Sequence, residues 1–233
     1  MGIRSNRRVE SYYDFFAQSG LDGVNPDTPI SIPFYGTRGV YVGGRDNVGP
    51  QVNTMDYVTI SSTGNATDFG DILAANSSMG GVSGGGRGVY GAGEAGYPSP
   101  SNVLQYLTIA SLGNTSDFGD LPVATEWQAG ASNATRGLWL GGIRSSSKVS
   151  TVDSIMIAST GNAWRFGDLA TATSSAACAS DPVRTCMGGG NAPTATVNIQ
   201  YTSLITEGTS IDFGDITGAR SELAGFSNAN GGL

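Results

Sequence analysis

The sequence predicts an all-β fold made of four copies of one unit. Glycine and proline supply 36 and 9 of the 233 residues, whereas only 13% of the residues are charged. This composition is typical of short strands joined by tight turns, with Ser, Thr and Asn on the surface. The tripeptide Phe-Gly-Asp also occurs four times, at steps of 49, 48 and 47 residues. Repetition at a nearly fixed period indicates a repeat architecture.

Three markers recur in one phase along the chain. The first is the Phe-Gly-Asp segment, which begins at Phe69, Phe118, Phe166 and Phe213 and ends at Asp71, Asp120, Asp168 and Asp215. The second is an arginine before an apolar strand, at Arg38, Arg87, Arg136 and Arg184. The third is an alternating strand at residues 56–60, 105–109, 153–157 and 200–204. We expect these arginines, phenylalanines and aspartates to have structural roles that repeat from unit to unit.

Each unit contains about four strand-length segments, which are separated by turn residues such as Thr63-Gly64-Asn65. Four strands in about 50 residues is the size of one β-propeller blade. The sequence therefore predicts a β-propeller of about four four-stranded blades over residues 37–233. An extended N-terminal arm, residues 1–36, precedes it. We expect the four repeated phenylalanines to be buried within the blades.

The order of the markers resembles the kelch repeat. In that family an apolar strand ends in Gly-Gly, a strand with an acidic residue and a tyrosine follows, and an aromatic residue comes after a turn. Residues 41–44, the pair Asp56-Tyr57 and then Phe69 occupy these places. Phe69 stands where the family usually has tryptophan, and the spacing from Gly-Gly to the tyrosine is longer. The unit is thus similar to a divergent kelch repeat.

The repeat phase allows two ways of completing the first blade. Residues 227–233 align with residues 132–138, and a strand at about 221–226 would then close the propeller within one chain. We expect this arrangement. Alternatively, residues 30–34 supply the strand, and the C-terminal strand is left for a neighbouring chain.

The arm has a composition of its own. It contains Arg4, Arg7 and Arg8, followed by Tyr12, Tyr13, Phe15 and Phe16. Aromatic residues and arginine are enriched at binding hot spots. Either the arm packs on the propeller or it anchors the protein to a larger assembly, and the second interpretation is the functional hypothesis.

Composition excludes several functions. The chain has no histidine, so histidine-dependent triads and metal sites are excluded. A net charge of −7 with Lys148 as the single lysine argues against nucleic-acid binding. No apolar run reaches the roughly 18 residues of a membrane helix, and the N-terminus lacks the apolar core of a signal peptide. We expect a protein made in the cytoplasm without membrane insertion.

Two motifs have ordinary explanations. Residues 91–96 match the dinucleotide pattern G-x-G-x-x-G, but Pro98 follows where a helix would be required. No cofactor is therefore expected. The four repeated aspartates could ring a hard cation, but aspartate also favours turns, and Arg165 breaks the symmetry of an acidic ring. We favour the turn and expect no metal.

Cys178 and Cys186 flank a turn. On an antiparallel hairpin they would lie nearly opposite each other. A disulfide is then conceivable, whereas a cytoplasmic origin favours two reduced thiols.

A second resemblance concerns function. Residues 57–71, residues 227–233 and the segment 11–22 are similar to virion proteins of tailed bacteriophages, especially of the cyanophage type. The resemblance implies a non-enzymatic virion component on the tail, neck or capsid surface, as an appendage or decoration protein. Its partners would be other virion proteins and further copies of the chain. The alternative is a host-attachment propeller that stacks host-surface glycans on Tyr41, Tyr90, Trp127 and Trp139.

Overall fold

The computed structural model describes residues 37–46, 49–96 and 99–227. These residues form strands and turns and contain no helix, so the predicted all-β class is confirmed. It follows that none of them belongs to a helix long and apolar enough to span a bilayer. The arm and its proposed anchor residues lie outside the described part of the chain.

The first two repeats each form one antiparallel sheet in chain order. The first sheet has three strands: β1 (Arg38–Val42), β2 (Thr54–Thr59) and β3 (Thr67–Asp71). The second sheet has four strands: β4 (Gly80–Gly84), β5 (Arg87–Gly91), β6 (Val103–Thr108) and β7 (Ser116–Asp120).

The third and fourth repeats follow the same plan with additions. The third sheet contains β8 (Ala129–Ser132), β9 (Arg136–Leu140), β12 (Thr151–Met156) and β13 (Trp164–Asp168). A small hairpin, β10 (Ile143–Arg144) and β11 (Ser147–Lys148), interrupts it. The fourth sheet contains β14 (Ala177–Ser180), β15 (Arg184–Gly188), β16 (Asn198–Ser203) and β18 (Ile211–Asp215). The short strand β17 (Gly208–Thr209) pairs in parallel with β13 of the preceding repeat.

Each repeated phenylalanine occupies a β-bulge. In the second sheet Leu104 pairs with Gly119 and Gln105 pairs with Asp117, so Phe118 is the extra residue of its strand. The other three sheets shift register at the same repeat position. The glycine that follows Phe118 has a φ of +139°, a backbone conformation that favours glycine. The Phe-Gly pair is thus the local signal for the bulge.

The sheets pack face to face in chain order. We call the side of a sheet that is turned toward the next repeat its forward face, and the side turned toward the preceding repeat its rear face. The equivalent sides of the first and fourth sheets keep these names. Val89 and Phe118 on the forward face of the second sheet pack in one buried cluster with Trp139 and Ile155 on the rear face of the third. Equivalent clusters join the first sheet to the second and the third to the fourth.

Closure of the ring within the chain is not seen in the described residues. Residues 221–227 form no strand, and β1 pairs with β2 alone. The C-terminal segment instead runs beside β14, where the Ser227 hydroxyl donates to the Ser180 carbonyl at 2.6 Å. No buried hydrophobic cluster among the described residues connects the fourth sheet to the first.

Candidate functional site

The repeated phenylalanines divide into two groups. Phe69, Phe118 and Phe166 are each 2% exposed, and Phe118 packs edge-on against Tyr106 with 6.1 Å between ring centroids. Phe213 keeps the same edge-on contact with Tyr201, yet 53% of it is exposed. The expectation of burial is therefore wrong for Phe213, because none of the described residues forms a sheet that covers the forward face of the fourth.

Two of the four repeated arginines connect one sheet to the next. The Arg38 guanidinium lies 4.8 Å from the centroid of the Tyr57 ring and donates to the Ala110 carbonyl in the following repeat at 2.8 Å. Arg87 lies over Tyr106 and donates to the Ile157 carbonyl at 3.0 Å. Cation–π attraction and a charge-assisted hydrogen bond therefore act through one side chain. The remaining two lie over aromatic rings of their own sheets, Arg136 over Phe166 and Arg184 over Tyr201.

The repeated aspartates are strand residues rather than turn residues, which corrects the expectation from the sequence. Each is the last residue of its strand: Asp71 of β3, Asp120 of β7, Asp168 of β13 and Asp215 of β18. The first two contact the next repeat through their backbones. The Asp71 N–H donates to Asn114 Oδ1 and the Asp120 N–H donates to Asn162 Oδ1, both at 3.0 Å. Among the described residues, no cluster of three or more ligand side chains could hold a metal ion.

A buried amide that sequence reasoning missed organises the second sheet. Gln105 Oε1 accepts hydrogen bonds from the Thr115 hydroxyl at 2.7 Å, the Leu73 N–H at 2.8 Å and the Tyr90 hydroxyl at 3.1 Å. Leu73 belongs to the preceding repeat, so this amide also joins two repeats. Burial raises the pKa of the Tyr90 phenol, which stays protonated as a donor.

The sequence contained a signal for this amide. In the second and fourth repeats the position is glutamine, Gln105 and Gln200, and the residue ten positions later is a hydroxyl donor, Thr115 and Ser210. The Ser210 hydroxyl indeed donates to Gln200 Oε1 at 2.9 Å. In the first and third repeats, aspartate replaces the glutamine and alanine replaces the hydroxyl residue, in the pairs Asp56–Ala66 and Asp153–Ala163.

In the third repeat the aspartate has a different partner. Arg144, from the additional hairpin, donates to Asp153 Oδ2 at 3.0 Å and to the Thr125 hydroxyl at 2.5 Å. Asp153 is 1% exposed. Burial raises the pKa of its carboxyl, and the nearby Arg144 guanidinium opposes the rise.

We expect this raised pKa to affect stability. Because the folded-state pKa lies above the unfolded value of ~3.9, stabilisation by the protonated carboxyl is present below that value and is lost as the pH rises through the folded-state pKa. Relative to wild type, Asp153→Asn should therefore gain free energy of unfolding as the pH rises above the unfolded pKa of ~3.9. Urea titrations at a series of pH values measure the difference.

Asp181 provides a control of opposite sign. The backbone N–H groups of Arg184 and Val183 donate to its carboxylate, each at 2.7 Å, and lower its pKa. Its stabilisation is present above the unfolded pKa and is lost as the pH falls. Relative to wild type, Asp181→Asn should lose free energy of unfolding as the pH rises toward the unfolded pKa of ~3.9. A constant difference between Asp153→Asn and wild type would contradict the raised pKa.

The charged side chains of Arg45, Glu94 and Glu126 form a group that joins the first three repeats. Arg45 forms an ion pair with the buried Glu94, and its Nε donates to the Ser77 hydroxyl at 3.2 Å. Burial and the neighbouring Glu94 raise the pKa of Glu126. These charged side chains are thus in contact across repeats, as the arginines and glutamines are.

Two of the four proposed sugar-stacking residues lie in the core. Trp139 is fully buried, and its indole N–H donates to the Gly80 carbonyl at 3.2 Å. Tyr90 is buried as well. Neither ring can stack on a glycan, so the carbohydrate-binding alternative is left with the exposed Tyr41 and Trp127.

The expected position of the two cysteines is wrong by one residue of register. Cys178 pairs with Met187, and Cys186 pairs with Ala179. Because successive residues of a strand point to opposite faces, the two thiols lie on opposite faces of the sheet. Both are free, and burial raises the pKa of the Cys178 thiol to about 12.

Comparisons with known proteins assign no family. No protein-family model matches the sequence, and no curated protein does either.

Proposed function

We propose that the protein is a non-enzymatic structural component of a tailed-bacteriophage virion, located on the surface of the tail, neck or capsid. In this proposal the four sheets are kelch-like blades of a propeller that faces outward. Residues 1–36 attach it to other virion proteins.

The observation that carries the proposal is that recurrent polar residues connect neighbouring repeats. Arg38, Arg87, Gln105 and Asn114 each form hydrogen bonds with a neighbouring repeat. A chain that uses its recurrent polar side chains to hold sheets together fits a scaffold better than an enzyme. The chain-order arrangement of antiparallel strands in the second sheet also fits a propeller blade.

The test is incorporation into particles. Purified particles, separated into heads and tails, should contain the full-length chain when they are examined by mass spectrometry. A chain that lacks residues 1–24 should keep a β-rich circular dichroism spectrum but be absent from the particles. The control Leu73→Glu changes an exposed loop residue and should be incorporated normally.

Two results would contradict the proposal. Absence of the full-length chain from all particles would refute the virion assignment. Normal incorporation of the truncated chain would refute the role of the arm as an anchor, as would unfolding of that chain.

A further inference from the structure

Among the described residues, the C-terminal segment contacts the fourth sheet at β14, and none covers the forward face of that sheet at β16 and β18. Cys186 pairs with Tyr201, and the Arg184 guanidinium lies over the rings of Tyr201 and Phe213, so these side chains share one face. Phe213 is 53% exposed, whereas its three counterparts are 2% exposed. The adjacent Ile211 is exposed as well.

Within the described part of the chain, nothing covers the rear face of the first sheet either. Tyr41 is 63% exposed, whereas its counterparts Tyr90, Trp139 and Met187 are buried. Ile60 is 71% exposed, whereas two of its counterparts, Ile157 and Leu204, are 1% exposed. Val58 lies on the same face as Tyr41, because it pairs with Gly39, two residues before Tyr41 in β1. These three apolar residues occupy positions that are filled by core residues in later repeats.

We propose that these two faces bind each other between copies, so that the fourth sheet of one copy packs on the first sheet of a second copy. Inside the chain, the forward face of one sheet contacts the rear face of the next sheet three times. The uncovered faces are the two halves of that same contact. A contact between different surfaces of identical copies is head-to-tail and builds rings or filaments.

The polar groups of the internal contacts have counterparts on the end faces. Within the chain, the Phe69 carbonyl accepts from the Gly113 N–H at 2.8 Å, and the Phe118 carbonyl accepts from the Gly161 N–H at 2.7 Å. The corresponding groups at the ends are the Phe213 carbonyl and the Gly64 N–H of a second copy. Asp215 and Asn65 likewise correspond to the Asp71–Asn114 pair.

Arg184 completes this correspondence. Arg38 and Arg87 each donate to a carbonyl of the following repeat, at residues 109–110 and 157. The equivalent carbonyl for Arg184 is that of Ile60 in a second copy. A second copy therefore supplies both the apolar residues and the hydrogen-bonding groups that a following repeat would supply.

The test uses two variants that each block one half of the contact. Phe213→Glu puts a charge on the forward face, and Ile60→Glu puts one on the rear face. Because both side chains are exposed, each variant should fold, which circular dichroism and a thermal melt verify. Leu73→Glu, which changes an exposed side chain in the loop between β3 and β4, is the matched control.

Sedimentation velocity of the purified full-length chain gives the readout. Wild type and Leu73→Glu should sediment as multimers that grow with protein concentration. Each blocking variant alone should sediment as single copies. An equimolar mixture of the two should form one-to-one pairs with twice the mass, since each variant retains the half that the other lacks.

Three results would overturn the inference. The mixture could remain as single copies, or either blocking variant could associate as wild type does. Wild type could also stay a single copy at every concentration while both variants melt at lower temperature, which would indicate closure within one chain. The measurement involves purified protein alone, so its outcome is independent of the virion assignment.

Discussion

Replacing Phe118 with alanine is expected to lower the free energy of unfolding by about 3–5 kcal/mol. The ring is almost fully buried in the cluster that joins the second and third sheets, and it packs edge-on against Tyr106. Its removal would take apolar area out of the core and leave a cavity lined by residues of two sheets. Urea unfolding, followed by far-ultraviolet circular dichroism, measures the loss.

Phe213→Ala is the matched control for this substitution. The Phe213 ring keeps the edge-on contact, 6.2 Å from Tyr201, but half of it is exposed. At a concentration where the chain sediments as single copies, the change should be within about 0.5 kcal/mol of zero, as for other surface positions. Equal losses for the two variants would contradict the difference in burial between the second and fourth repeats.

The second large effect concerns a close approach between repeats. A Cβ at Gly119 would lie 2.5 Å from the carbonyl of Gly161 in the next repeat. Backbone at this distance cannot give way without moving the hydrogen bond between Gly161 and Phe118. Gly119→Ala is therefore expected to destabilise the fold by about 1–3 kcal/mol through overpacking, in addition to the backbone strain.

Gly214→Ala separates overpacking from strain. Gly214 has a φ of +137°, close to the +139° of Gly119, but a Cβ there would meet nothing within 4 Å. For single copies this variant should therefore show the strain alone. The difference in free energy of unfolding between the two alanine variants then measures the close approach, and equal values would contradict it.

The sequence alone was sufficient for the repeat period and the all-β class. Glycine-rich turns, few charges and the fixed spacing from Phe69 to Phe213 are properties of the chain that need no neighbour. Pairing within a repeat is also local, because consecutive strands join through short turns. The spacing between Gln105 and Thr115, read together with that between Asp153 and Ala163, would also have revealed the buried amide position.

Other features depend on which sheet lies against which. Phe118 is a core residue and Phe213 is a surface residue, although both belong to the same tripeptide, because burial requires a following sheet. The placement of Cys178 and Cys186 on opposite faces depends on a register that a shift of one residue would reverse. The local sequence contains neither of these facts.

The sequence by itself therefore determined the unit and its strands, because backbone preferences and short-range pairing decide them. Only the tertiary structure decided that Tyr90 and Trp139 are core rather than binding surface, and that Tyr41 and Phe213 are exposed. The physical reason is that the repeats present nearly identical faces, and burial of a face depends on a neighbour about 48 residues away in sequence.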